Sequence, residues 1–475
     1  MVFSSIIFLW IFLPLVLAIY FISDRKYKNY ILLASSIIFY TWGEPSYIIW
    51  MLLSVLINYI FGILIEDIKS NSKRKVVLVL SVISNLSLLG YFKYLNFLAE
   101  IYNSIVGREA LTLMEIALPI GISFYTFQAM SYVIDVYRSK KNNEELKAQR
   151  NILNLALYIS FFPQLVAGPI VKYYDVEKQI YSRKETVTRA AYGIKRFILG
   201  LSKKILISNV MAATADSIFD IYVRELGTPV LWLGIICYTL QIYYDFSGYS
   251  DMAIGLGQIF GFSFMENFNY PYISQSITEF WRRWHISLST WFKEYLYIPL
   301  GGNRKGKFRT YINLLIVFFA TGFWHGASYS FIFWGLFHGF FMIIERLFLG
   351  KLLEKNKFKF LNNLYTLGVV IVGWVFFRVE EFRHALSYVK RLFINSQGDV
   401  INNIEFFLNK EVIFTIIIGI IFAGFAQKLF PKLREVLYRK DKISFHEVLI
   451  LGTLLFLCIM KAVAGSYNPF IYFKF

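Results

Sequence analysis

The sequence predicts an all-α polytopic integral membrane protein, with about eleven transmembrane helices and further re-entrant and interfacial helices, on three observations. Hydrophobic residues make up 57% of the 475 and the mean hydropathy is +0.52, against roughly 45–50% apolar content in a soluble domain. Apolar runs recur from end to end, among them Val2 to Ile22, Tyr47 to Ile65, Val76 to Leu89, Leu231 to Tyr244, Val412 to Phe425 and Val448 to Met460, several of them reaching the ~20 residues that cross a bilayer. Six short basic loops punctuate these runs, at 23–29, 69–75, 138–150, 301–309, 351–359 and 431–442. Lys and Arg concentrated in such loops mark the cytoplasmic side, so the formal charge of +18 reports topology and excludes a nucleic-acid partner.

Taken in order, the first run has no basic residue before it and no small-residue cleavage site after it, so it is expected to stay as a span that starts outside. Segments 30–42 and 47–65 form a hairpin, 76–98 crosses outward and 113–137 returns. The run 152–171 contains Pro163 and the Gly168-Pro169 break and has cytoplasmic flanks, which fits a re-entrant element. Segment 191–213 opens with Lys195, Arg196, Lys203 and Lys204 and is expected to lean along the inner surface before crossing. Residues 230–245 come back, and Ser247 to Arg309 holds no clean span. Tyr311 to Trp324, fourteen residues, would rise only about 21 Å. That falls short of the roughly 30 Å hydrocarbon core and leaves His325 at membrane depth. Three further crossings, 364–377, 412–430 and 446–463, put the tail YNPFIYFKF outside. No repeat or soluble domain interrupts 1–475, which is expected to be one membrane-embedded domain with N-terminal helices 1–150, a core 151–350 and C-terminal helices 351–475.

Three stretches can carry chemistry. In FWHGASYSFIFWGLFHG, His325 is flanked by Trp324 and by Gly326 and Ala327, which admit close neighbours. An ionisable side chain at that depth marks a site or, in the plainer reading, a neutral imidazole bonding two helices; His338 fits the structural role. In TEFWRRWHISLSTWFKEYLYIPLGGNRKG, Trp281, Trp284, Trp291 and Tyr295 recur at helical spacing beside Arg282, Arg283, Lys293 and Arg304. That pattern suits an inner-surface helix or belt, and with His285 it also makes a cationic aromatic cleft for a phosphate-bearing donor. Asp245 and Asp251 lie in a stretch rich in Ser and Gly, where they can line a proton path or pair with the nearby arginines. Cys237 and Cys458 are isolated in apolar runs and give neither a disulfide framework nor a metal site. The chain has no P-loop, no H-E-x-x-H and no G-x-S-x-G.

Together QIYYDFSGYSDMAIG, FWRRWHISLSTWFKEYLYIPLGGNR and FWHGASYSFIFWG resemble the signature segments of the membrane-bound O-acyltransferase (MBOAT) family, above all its bacterial branch for O-acetylation of alginate and other surface polysaccharides. The resemblance is dense from Pro163 to Phe340, and the turn Gly301 to Arg304 favours this branch over D-alanyl transfer to teichoic acid. It implies a helical ring around a central tunnel in the bacterial cytoplasmic membrane, with His325 and His285 as catalytic histidines. The implied donor is cytoplasmic acetyl-CoA or an acyl-carrier thioester, with no permanently bound cofactor and no metal. Arg282, Arg283, Trp284, Trp324 and Arg304 become candidate donor-binding residues. The tail FIYF resembles a C-terminal motif of such systems, which would make Tyr472 an acyl relay to an extracytoplasmic serine acyltransferase of the SGNH type, and through it to polysaccharide. The alternatives are an aromatic anchor for Tyr472 and, for the whole chain, D-alanyl transfer or a transporter or flippase.

Overall fold

The computed structural model describes residues 1–471 apart from 44, 143, 440–442 and 466. Every regular element among them is helical: α1 Phe8–Ile22, α2 Lys28–Thr41, α3 Ile48–Asp67, α4 Asn71–Val106, α5 Ile122–Asn142, α6 Ile152–Ser160, α7 Tyr173–Ser182, α8 Val187–Phe219, α9 Thr228–Ile259, α10 Ile277–Arg283, α11 Ile286–Phe292, α12 Lys307–His325, α13 Tyr329–Lys355, α14 Lys359–Arg378, α15 Phe382–Phe393, α16 Lys410–Leu429 and α17 Phe445–Val463, with short turns between. Seven of these, α3, α4, α8, α13, α14, α16 and α17, are long and apolar enough to cross a bilayer, and α1 is a shorter apolar helix. The other expected crossings fall on α2, α5, α9 and α12, outside that set of seven.

The chain forms two compact units that interleave in sequence, residues 1–193 with 253–265, and residues 194–252 with 266–475. In the first, aromatic rings of Phe3, Phe8, Phe39 and Phe162 pack with centroids 4.8 to 6.4 Å apart. Asn58 on α3 and Asn85 on α4 satisfy each other with paired amide hydrogen bonds of 2.9 Å, as buried polar groups in apolar helices require. The stretch 152–171 is a broken helix: α6 ends at Ser160, a turn Phe162–Leu165 follows, and residues 155–173 are buried throughout. Tyr158 donates to the Val171 carbonyl at 2.8 Å and so supplies one of the bonds that the break frees.

The second unit corrects four expectations. The helix α9 does not stop near Tyr244 but runs 32 residues through the Ser/Gly stretch, because the small residues there admit a neighbouring helix. A Cβ on Gly200 of α8 would lie 2.5 Å from the Gly248 carbonyl oxygen of α9. Nor do Lys195, Arg196 and Lys204 of α8 lean on a surface. Lys195, Arg196 and Lys204 are at most 3% exposed, paired respectively with Glu447 at 2.6 Å, with Asp251 at 2.9 Å and with Asp245 at 2.7 Å. The helix ending at His325 begins at Lys307, after the left-handed Gly306 (φ 86°), and its 19 residues rise about 28 Å, nearly the hydrocarbon thickness. Finally, 278–306 is not one helix with an outward aromatic belt. It breaks at Trp284-His285 into α10 and α11, and Trp281, Trp284, Trp291 and Tyr295 are all buried.

Close approach at Gly200 predicts that Gly200→Leu lowers stability by about 1–3 kcal/mol through overpacking. A fall in melting temperature of the detergent-purified protein is expected; an unchanged melt would show that the α8–α9 contact tolerates a side chain.

Candidate functional site

Each histidine of interest is placed by a break in its helix. Ser276 caps α10 by accepting from the Glu279 N–H at 3.0 Å, and the Glu345 carboxylate accepts from the Ile277 and Thr278 N–H groups at 2.6 and 2.9 Å. The positive end of the short helix is thereby met by negative charge. After Arg283 the chain turns sharply, and His285 takes φ 42° and ψ 56°. With Tyr270 it is one of two non-glycine residues in the left-handed region among those described. Such a backbone costs of order 1–3 kcal/mol and persists only where the surroundings hold it. Here the segment around Asn267 does so: the Asn267 carbonyl accepts from Ile286 N–H at 3.0 Å and its side-chain oxygen from Ser287 N–H at 3.1 Å, while Asn269 N–H donates to the Arg283 carbonyl at 2.9 Å.

His325 is the last residue of α12, and glycines fix its position. A Cβ on Gly322 would lie 2.2 Å from the Phe331 carbonyl oxygen, and one on Gly335 would lie 2.2 Å from that of Phe318. The hairpin α12–α13 therefore closes backbone to backbone, as small residues allow in apolar helix pairs. Gly326 lies against the Phe331 ring, and Ser328 caps α13.

The two breaks bring the imidazoles together. The ring centroids of His285 and His325 are 6.5 Å apart, and both residues are buried, 0% and 3% exposed. Aromatic walls enclose them: Phe246 lies 4.6 Å from His285, and Trp324, Trp334 and Phe377 lie 4.8, 5.1 and 5.0 Å from His325. Burial pushes the His285 imidazole from 6.5 down to about 3, because a low-polarity box disfavours its cation. A neutral imidazole offers one N–H and one bare nitrogen, which is what proton transfer at neutral pH needs.

The structure sorts the remaining sequence candidates. Trp324 is a wall of the histidine site; Trp284 packs one ring further out, 4.9 Å from Trp374. Arg283 is occupied by Glu279 at 2.8 Å and by the Asn269 carbonyl at 2.9 Å, so it holds the turn that carries His285. Arg282 is exposed on the rim of a groove shared with Glu345, Arg346 and Lys359, and Arg304 is exposed in its turn. Asp251 is paired with Arg196 and with Lys203 at 2.6 Å, and Asp245 with Lys204, so both carboxylates stand in ion pairs. His338 departs from the expected hydrogen-bonded role. It lies among Phe280, Trp281 and Trp334, 5.3 to 6.3 Å between centroids, and its ring nitrogens have no hydrogen-bond partner among the described residues. Tyr472 lies outside the described residues, but the tail before it does not dangle: Phe470 and Ile471 are buried. Phe246 and Phe377 were not legible as walls, since a phenylalanine in an apolar helix carries no signal of its own; the Gly322/Gly335 pair carries one in its small-residue spacing.

A polytopic helical membrane protein with two buried imidazoles boxed by aromatic rings is thus the class that fold and site define. The pattern of the MBOAT, membrane-bound O-acyltransferase family matches residues 35–388, and the chain belongs to that family of multi-pass membrane enzymes. Among similar proteins are the probable alginate O-acetylase of Pseudomonas putida, 41% identical over 100% of both chains, and the peptidoglycan O-acetyltransferase of Helicobacter pylori, 36% identical over 82% of this chain and 79% of that one. The teichoic acid D-alanyltransferase of Bacillus subtilis is 30% identical over 56% of this chain and 70% of its own.

Because the folded imidazole of His285 titrates below the unfolded one, the unfolded chain binds the extra proton between pH 6.5 and about 3. Stability contributed at higher pH is therefore lost as pH falls below 6.5, at about 1.4 kcal/mol per unit. Melting temperatures measured from pH 7 down to about pH 5 are expected to fall less steeply in His285→Gln than in wild type; parallel slopes would show that His285 is not buried in its neutral form.

Proposed function

We propose that this chain is the membrane O-acetyltransferase of a surface-polysaccharide O-acetylation system, taking acetyl from cytoplasmic acetyl-CoA and passing it across the membrane, with His325 as catalytic base. The observation that carries the reading is the enclosed His285–His325 pair, seated in a chain that matches an alginate O-acetylase along its whole length.

The chemistry follows from the pair. The bare nitrogen of the His325 imidazole takes the proton from an acceptor hydroxyl, whose oxygen attacks the thioester carbonyl carbon. The tetrahedral intermediate collapses, the C–S bond breaks, and the thiolate recovers a proton from the His325 imidazolium, which leaves the base neutral for another turn. His285, neutral by burial, acts as a hydrogen-bonding partner within the box, and the aromatic walls exclude water that would hydrolyse the thioester. In this reading the exposed Arg282 would meet a phosphate-bearing donor, and Trp324, whose ring lies 4.8 Å from His325, would flank the reacting carbonyl. The first acceptor in this reading is the phenol of Tyr472, an ester relay from which a serine acyltransferase of the SGNH type, on the outer side, moves acetyl to polysaccharide. D-Alanyl transfer is the second reading, supported by the shorter match to the B. subtilis enzyme.

Transfer of radiolabelled acetyl from acetyl-CoA to the purified protein in liposomes tests the proposal. His325→Ala is expected to cut the rate by about 10²–10⁴, the usual contribution of a positioned base, with an unchanged melting temperature. A folded His325→Ala protein that labels as fast as wild type would remove the base. Label that persists in Tyr472→Phe would remove the relay while leaving acetyl transfer intact.

A further inference from the structure

The C-terminal segment enters the protein interior. Tyr467 is 52% exposed, and four residues later Ile471 is 4% exposed. On the way in, its hydrogen bonds fall on polar groups of two helices, α8 and α9. The Tyr467 hydroxyl donates to Asp216 on α8 at 2.9 Å, and the same carboxylate accepts from Arg378 at the end of α14, also at 2.9 Å. The Asn209 amide donates to the Asn468 side-chain oxygen at 3.2 Å. Deeper in, Lys204 of α8 donates to the Pro469 carbonyl, and Asp245 of α9 accepts from the Ile471 N–H at 2.8 Å. The Phe470 ring meanwhile packs 4.9 Å from Tyr249.

Lys204 and Asp245 are paired with each other at 2.7 Å, and their side chains are 2% and 1% exposed. An ion pair so deep loses the hydration of both charges, and its mutual attraction offsets that loss only when further hydrogen bonds take up the remaining donors and lone pairs. The tail supplies one such bond to each partner, and it does so from its main chain. The pair therefore grips a backbone, whatever side chains the tail carries.

What the grip is near gives it a purpose. Asp245 is followed on α9 by Phe246, the ring 4.6 Å from His285; Arg378 is preceded on α14 by Phe377, the ring 5.0 Å from His325. Consecutive side chains on a helix diverge by about 100°. Each of these two helices thus turns one residue to the histidine site and the adjacent one away from it, Asp245 to the tail and Arg378 to the Asp216 carboxylate that Tyr467 of the tail also reaches. A small cavity is lined by Asp216, Gln241, Arg378 and Glu380 together with Pro469 and Ile471 of the tail.

We propose that the buried Lys204–Asp245 ion pair is a positioning clamp for the C-terminal segment, holding it by the Pro469 carbonyl and the Ile471 N–H against the helices that wall the histidine site. Lys204 and Asp245 are positioning residues: they touch neither donor nor reacting atoms. The activity arm of the test rests on the acetyl-transfer reading above, whereas the docking arm does not.

The docking arm is digestion of the full-length protein in detergent with carboxypeptidase, followed by intact mass. In wild type, trimming is expected to stop with Ile471 and Phe470 retained. In Lys204→Met and Asp245→Ala, removal of both residues back to Pro469 is expected at least tenfold faster, with protection restored in Lys204→Arg, which keeps the donor and the charge. In the activity arm, Asp245→Ala is expected to lower kcat for acetyl transfer at least tenfold at unchanged KM for acetyl-CoA. Ile471→Pro, which deletes the clamped N–H and leaves the ion pair whole, is expected to reproduce that loss. Wild type trimmed past Phe470 as fast as the variants would overturn the clamp. So would variants that melt lower but are trimmed no faster, since the pair would then serve only the helix packing. If wild type turns over no acetyl-CoA, it is the acetyl-transfer reading that fails, and the trimming result alone decides the clamp.

Discussion

A polar or charged group carried into an apolar helical interior must find its partner there, and the second unit is organised around that constraint. Lys195, Arg196 and Lys204 follow one another along α8, and each meets a carboxylate from a different place in the chain: Glu447 at the start of α17, Asp251 and Asp245 on α9. Glu345 performs the same service for the first N–H groups of α10, which have no partner within the helix. Desolvated charges in such pairs contribute little net stability, but removing either member strands the other. The pairs therefore fix which helices can be neighbours, and hydrophobic burial, which is indifferent to direction, supplies the cohesion.

At the histidine site, as around His338, buried imidazoles are lined by aromatic rings. Around His285 and His325 the neighbours include several rings, and burial among them lowers the basicity of His285. Two kinds of backbone device put the imidazoles there. Glycines at 322 and 335 let α12 and α13 touch, which sets the depth of His325. A left-handed residue held by the Asn267 segment re-aims the chain at His285. Strain of that kind in a non-glycine residue is found where a side chain must point in a direction that regular structure does not provide. The acyl-transfer proposal uses the result directly: two imidazoles side by side in an enclosed aromatic box.

Much of this was legible in the sequence, for reasons that also mark where legibility ends. Hydropathy and basic loops set the class because a bilayer penalises charge along a whole segment. His325 stood out because few residues around it can ionise, and His285 because it sits among arginines and tryptophans. The same logic misled at α8, where Lys and Arg at helical spacing suggested a surface. Their partners Asp245, Asp251 and Glu447 lie 41 to 252 residues away, and one-dimensional spacing cannot show such pairings. It misled again at 278–306, where periodic tryptophans suggested an outward belt. Periodicity identifies a face but not what covers it, and here the face is covered by Phe318, Trp334 and Trp374. The depth of the tail was likewise hidden, since its clamp acts on main-chain atoms that every sequence possesses.

If His285 and His325 work as one unit, a double-mutant cycle on acetyl-transfer kcat/KM should show strong non-additivity: His285→Gln with His325→Ala together should lose little more than His325→Ala alone, as groups acting in one step do. Losses that simply multiply would contradict it, because two rings 6.5 Å apart in one enclosed box would then be serving separate ends.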